Sequence, residues 1–166
     1  MIFPICKVCL KNDILCEGCA SKIGELGIKS DEIKTFRLLN KISNKYTILN
    51  DVKIERVLET PKMIFIITNK EDASKIIGKN GGMIKKIGEY LGKPIRVITN
   101  KKNVENFVKE IFRSNNIIGI NILYGDEKIY RLRFPSYEKE ELPIEIDKFS
   151  KFFNSIFGEK VEIIFE

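Results

Sequence analysis

The stretch "IIGKNGGMIKKIGEYLG", residues 76–92, places three glycines within five positions, between apolar residues at helical spacing on both sides. Glycine destabilises a helix interior, so a cluster of it marks a place where the backbone must turn or approach something closely. The reading is a helix over "KEDASKII" that stops at Gly78, then a second helix over "GMIKKIGEYLG" that stops at Gly92. Met83, Ile84, Ile87 and Leu91 form the inward stripe of the second helix. A Gly-x-x-Gly joint of this kind brings backbone next to a ligand, and the following helix offers free N–H groups and its positive dipole end. Lys79 adds charge, Asn80 adds donors and an acceptor, and Lys75, Lys85 and Lys86 lie within one or two turns. The combination suits phosphate. The G-x-x-x-x-G-K-[ST] pattern of a nucleotide-triphosphate loop is absent.

Around the joint the chain reads α-β-β-α-α-β. "SDEIKTFRLLNKISNKY" is a helix with Ser30 as its cap and Ile33, Phe36, Leu39 and Ile42 inward. "DVKIERVLE" alternates like a strand, "MIFIITN" is a β-branched run suited to a central strand, and "PIRVITN" closes the unit. A shift of 66 residues then aligns apolar positions without a gap from Arg37 to Glu166. Ile54 falls on Ile120, Val57 on Leu123, Ile66 on Leu132, Ile87 on Phe153, Gly92 on Gly158 and Val97 on Ile163. This predicts a second copy of the unit, with "GDEK", residues 125–128, as its hairpin turn. At the joint the copies differ, because "GKNG" becomes "IEID", residues 144–147.

Charge follows the same division. Residues 1–29 carry net +1, residues 30–100 net +6 and residues 101–166 net −1, within a chain total of +6. The positive excess sits with the glycine joint and favours an anionic partner there.

All four cysteines fall in "CKVCLKNDILCEGC", as Cys6-x2-Cys9 and Cys16-x2-Cys19. Two such pairs can surround one Zn2+ with four thiolates, and they leave no open position for a catalytic water. Disulfides would need an oxidising compartment, and nothing in the sequence directs export. Iron held by four thiolates has similar spacing demands and stands as the alternative metal. The opening residues are too short for a signal peptide, and no apolar run reaches the length of a membrane span.

The residues "IIGKNGGMIKKI" resemble the core of a KH domain, whose hallmark is I-G-x-x-G followed by a helix. The αββααβ order resembles the type II form, and the whole resembles the archaeal NusA-like family of two fused type II units. Members of that family commonly keep Gly-x-x-Gly in both units, whereas the second unit here does not. The resemblance implies single-stranded RNA as partner, its backbone clamped by the loop over about four nucleotides and its bases on an apolar groove. The RNA-binding set so implied is Lys75, Ile76, Ile77, Gly78, Lys79, Asn80, Gly81, Gly82, Lys85 and Lys86.

The expected protein is therefore α+β. A small N-terminal zinc knuckle or ribbon spans 1–29, a KH domain with intact Gly-x-x-Gly spans 30–100, and a degenerate KH-like unit spans 101–166. It is expected to be cytoplasmic and to act in transcription or translation, without a small-molecule substrate. The chain has no histidine, and no recognisable acid–base pair, so catalysis is not expected. The rival readings are a protein-interaction module that docks on RNA polymerase or the ribosome, and a redox or iron-carrying protein.

Overall fold

The computed structural model describes residues 1–99 and 101–166. It divides into two compact units, residues 1–99 and the chain from there to Glu166. Asn100, the expected last residue of the first unit, lies outside the described residues.

The first unit opens with α1 (Lys7–Lys11) and α2 (Glu17–Leu26), followed by α3 (Ser30–Ser43), β1 (Arg56–Glu59), β2 (Ile64–Ile67), α4 (Lys70–Ile77), α5 (Gly82–Leu91) and β3 (Ile95–Ile98). The strands form one sheet in the order β1-β2-β3. β1 runs antiparallel to β2, and β2 runs parallel to β3. All four residues of β2 are buried, as an apolar β-branched run between two partners requires. Two local expectations shift. Ser30 is the first residue inside α3, and the extended residue before it, Lys29, is the N-cap. The strand expected from Asp51 begins only at Arg56, while Lys53 forms an isolated parallel bridge with Ile2.

The cysteine segment shares the core of the first unit. Phe3, Ile5, Cys9, Leu10, Cys19 and Ile23 join Phe36, Leu39, Ile54, Ile66 and Ile87 in one buried cluster. Phe3 and Phe36 meet with ring centroids 5.2 Å apart. Arg37 on α3 donates to the Cys9 carbonyl at 3.2 Å and to the Asn12 carbonyl at 2.6 Å. Glu32 and Arg56 form a buried ion pair at 2.8 Å. Arg56 also donates to the Leu26 carbonyl, and Glu32 accepts the Val57 N–H, so the pair ties α2, α3 and β1 together. Burial pushes the Glu32 carboxyl above its usual range, against the pull of Arg56. The expected boundary at residue 29 therefore falls inside one continuous core.

The second unit contains α6 (Val104–Ile111), β4 (Gly119–Leu123), β5 (Ile129–Phe134), α7 (Ile146–Phe157) and β6 (Lys160–Phe165). Its sheet has the same order and senses, β4-β5 antiparallel and β5-β6 parallel. The parallel registers agree to the residue: Ile66 pairs with Val97, and Leu132 with Ile163, both 31 positions apart. Gly92 and Gly158 each end a helix with positive φ, 77° and 68°.

The gapless shift holds only from β2 onward. Ile66 pairs with Val57, but Leu132 pairs with Ile120, so Val57 corresponds to Ile120 at a shift of 63, not to Leu123. The second hairpin is three residues longer, because the first closes tightly at Thr60, whose N–H donates to the Met63 carbonyl. The αββααβ expectation also fails at one element. Where α4 would recur, the chain makes only a 3-10 turn, Ser136–Glu138, between Pro135 and Pro143. Proline lacks the donor a helix interior needs and restricts the residue before it. Glu138 instead accepts from Asn115 and from the Asn116 N–H, which holds its carboxyl below the usual range.

Candidate functional site

The glycine joint is built from α4 outward. Asn69 caps α4 by accepting the Asp72 N–H at 2.8 Å. The Asp72 carboxylate in return accepts from the Asn69 side chain at 2.8 Å and from the Lys53 N–H at 3.0 Å. Burial opposes ionisation of Asp72, but these donors, with Lys75 beside it, hold its carboxyl below the usual range. The cap fixes where α4 starts, and hence where it ends at Gly78.

Gly78 has φ 73° and ψ 178°, a region essentially closed to any other residue. A Cβ there would stand 2.6 Å from Met83 Cβ and 2.9 Å from Met83 N. Asn80 follows at φ 54°, the one non-glycine residue with positive φ among the described residues, and Gly81 at φ 72°. Three left-handed positions in four residues let α5 begin immediately, with Lys79 and Asn80 exposed at its N-terminal end. The first-turn N–H groups of a helix lack α-helical acceptors, so this end favours an anion.

The expected ligand residues do not all lie together. Ile76 is 0% exposed and belongs to the core, whereas Ile77 is 40% exposed. Lys75 is paired with Asp72 at 3.5 Å. Gly82, Lys85 and Lys86 are exposed and Ile84 is half-buried. Ile84 and Lys85 line an open groove of about 540 Å³ between α5 and β3, with Gly88, Glu89, Gly92, Lys93, Pro94 and Ile95 completing its wall. Lys86 lies elsewhere, its ammonium 5.5 Å from the Tyr46 ring centroid.

The sequence reading missed the far wall of this groove. Its signal was Gly88, four residues before Gly92 and six before Pro94. Gly92 and Lys93 both donate to the Gly88 carbonyl, and a Cβ on Gly88 would stand 3.0 Å from the Lys93 carbonyl oxygen. Gly88 thus lets the turn into β3 fold tightly onto the helix and leaves the groove open beside it.

Charge separates the two units. Lys79, Lys85 and Lys86 make no ion pair among the described residues. In the second unit the basic residues of the sheet region are neutralised: Arg131 by Glu162, Arg133 by Glu166, Lys128 by Glu159 and Lys160 by Glu127. Ile144, at the position matching Gly78, is 4% exposed, so a buried side chain stands where the first unit presents backbone.

A second cluster lies at the N-terminal end. The Sγ atoms of Cys6, Cys9, Cys16 and Cys19 lie within 4.8 Å of one another, close to the edge of about 3.8 Å that four Zn–S bonds of ~2.3 Å give a tetrahedron. Cys6 and Cys16 are the N-caps of α1 and α2, and Cys9 and Cys19 lie three residues on. The bonds cross symmetrically, with the Cys6 N–H donating to Cys19 Sγ and the Cys16 N–H to Cys9 Sγ, each at 3.2 Å. The Cys9 N–H lowers the Cys6 thiol to about 7. Cys19 accepts the Cys6 N–H, yet burial and the neighbouring thiols push it up to about 12. A cation at the centre would remove that penalty by displacing the protons. The donor set and its spacing fit a four-thiolate metal ion. No helix among the described residues is long and apolar enough to cross a membrane.

A family model of the KH domain matches residues 37–122. Among solved structures, the crystal structure of APE1850 superposes with a TM-score of 0.53 at 24% identity, covering 82% of this chain and 100% of that one. Comparison with curated proteins returned no match. The structural likeness extends the shared fold over most of both units.

Proposed function

Because this chain belongs to the KH-domain family, whose ligands are in general RNA, we propose that it binds single-stranded RNA at the joint Gly78–Gly81. The observation that carries this is the left-handed turn itself, with Lys79 and Asn80 exposed at the start of α5 and a groove alongside. Lys79, Asn80 and the first turn of α5 hold the phosphates. Ile84, Gly88 and Ile95 offer the bases an apolar floor, and Lys85 borders it, with Glu89 and the Glu59-paired Lys93 at its edge. The protein is a binding module, not an enzyme, and acts in transcription elongation or termination, or in translation, as a NusA-like archaeal protein would. Cys6, Cys9, Cys16 and Cys19 hold a structural Zn2+, whose chemistry is to bind four thiolates and fix the first unit's N-terminal segment. The second unit, with neutralised charge and Ile144 buried, serves as scaffold or as a face toward RNA polymerase or the ribosome.

The test is the double variant Lys79→Asp, Asn80→Asp, titrated with short single-stranded RNA at fixed salt and checked by thermal melting. Negative charge at the helix N-terminus repels phosphate, so binding should be lost. Both side chains are exposed, so stability should change by about half a kcal/mol or less. Glu145→Lys in the second unit should leave RNA affinity nearly unchanged. Undiminished affinity in a folded double variant would refute the proposal.

A further inference from the structure

The flank of α5 that faces away from the groove carries a second surface, formed with the turn that follows α3. Lys86 and Tyr90 stand roughly 200° around the helix from the groove-lining Ile84 and Gly88, and about 100° beyond Lys85 and Glu89 at the groove's edge. Across from them lie Lys45 and Tyr46. The four side chains interlock in reciprocal pairs. The Lys45 ammonium lies 5.1 Å from the Tyr90 ring centroid, and the Lys86 ammonium 5.5 Å from that of Tyr46. Tyr90 is 42% exposed, Tyr46 is half-buried against the core, and both lysines are exposed.

Neither lysine makes an ion pair among the described residues. A lysine paired with a carboxylate has little charge left to offer. A lysine resting on an exposed aromatic ring is held weakly and keeps its full charge for an incoming phosphate. The ring gives it a defined position, and Tyr90, the exposed ring of the two, keeps surface on which a base can stack. Lysines interleaved with exposed aromatics track single-stranded nucleic acid without sequence preference. The seam begins near the glycine joint, since Lys86 is five residues beyond Gly81, or about 7.5 Å along the helix axis.

We propose that this seam between α5 and the turn after α3 is a second RNA-binding surface, which takes the nucleotides of a single strand that extend past the joint. Resting on the reading of Gly78–Gly81 as the phosphate clamp, the proposal has the strand cross α5 at its N-terminus. One part lies in the groove, and the continuation passes over Tyr90 with its phosphates near Lys45 and Lys86, the latter held in place by Tyr46.

The experiment compares two unstructured oligoribonucleotides, one of about four nucleotides, the length the clamp spans, and one about three times longer. Each is titrated with the intact chain over a range of salt concentrations. Two variants are used: Tyr90→Leu, which keeps an apolar side chain, and the pair Lys45→Gln, Lys86→Gln. Tyr90→Leu should weaken the long oligonucleotide at least about fivefold, the lower end of what one stacked base contributes. The lysine pair should flatten its salt dependence by about 0.7 in log–log slope for each phosphate that is no longer neutralised. Neither variant should change affinity for the short one. Equal behaviour of wild type and variants on the long oligonucleotide, with the short one still bound, would overturn the seam and leave the clamp standing. Equal losses on both lengths would also overturn it, because the residues would then be supporting the clamp. Failure of the wild-type protein to bind either would overturn the clamp and the seam together.

Discussion

Replacing Gly78 by alanine puts the joint's geometry to a quantitative test, with Gly81→Ala as its internal reference. Gly78 sits at φ 73° and ψ 178°, where a non-glycine residue carries about 1–3 kcal/mol of strain. The added Cβ would also stand 2.6 Å from Met83 Cβ and 2.9 Å from Met83 N, and a backbone atom in the first turn of α5 cannot swing aside. Strain and displacement together should cost about 3 kcal/mol, toward the top of that range. Gly81 has φ 72° and ψ 15°, an ordinary left-handed turn that costs alanine only about 1–2 kcal/mol. The nearest atom to a Cβ there is Ile84 Cγ2 at 3.9 Å, so no clash adds to it. A unit of about 100 residues loses roughly 4–8 °C in Tm per kcal/mol. Gly78→Ala should therefore lower the melting of the first unit by about 12–24 °C, and Gly81→Ala by about 4–16 °C, the smaller loss of the two on any one slope. Calorimetry on the intact chain resolves the two. Identical melting of the variants would show that α5 slides away from α4 without resistance, and the close approach assigned to Gly78 would be refuted.

Elemental analysis should find about one zinc per chain, as a single four-thiolate site requires. A strong chelator should then abolish the first unit's cooperative melt and not merely release residues 1–29, because Cys9 and Cys19 are buried with Phe3 and Phe36; an unchanged melt in stripped protein would refute a structural metal. Asp72→Asn should destabilise the first unit at neutral pH by about 1.5–3 kcal/mol, the worth of charge-assisted bonds at a nearly buried carboxylate. Since the folded carboxyl lies below its ordinary value of 3.8, that stabilisation is complete above about pH 4 and is lost as pH falls further. Denaturant melts of both proteins from pH 7 to pH 3 should show the gap closing, and a gap that widens on acidification would contradict the assignment.

Much of the fold could be read from period and punctuation. The helix stripe Met83, Ile87 and Leu91, the stop at Gly92 and the buried run of β2 all stood in the sequence, because each is a local rule obeyed locally. The repeat was legible for the same reason in the segment from β2 to β6, where chain length between paired strands is held at 31 residues. It failed at the first hairpin because loop length there is unconstrained by the sheet, and apolar alternation survives a slip of three residues in one strand's favour only by chance. The lost α4 equivalent was announced by Pro135 and Pro143, but the match of apolar positions obscured it. At the joint, glycines and lysines were visible, while the split between Ile76 in the core and Ile77 at the surface was not. Helical spacing gives the angle around an axis, and only packing says what stands at that angle. The groove depends on a turn folding back onto Gly88, an approach between residues five apart that no periodicity encodes.

The shared spacing of the parallel strands has a consequence for how each unit is assembled. Closing a loop costs conformational entropy that depends on its length, so β3 and β6 face the same closure penalty. The first unit fills that loop with two helices, whose hydrogen bonds join residues close in sequence. The second fills it with one helix and a single 3-10 turn, and so has less local structure to offset the same entropy. What compensates is aromatic: Phe149 and Phe153 of α7 pack on Phe112 and Tyr130 with ring centroids 5.0 and 5.7 Å apart. Such packing joins parts of the chain that are distant in sequence. The two halves of this protein share a topology, yet one gathers its crossover from within and the other is drawn shut from across.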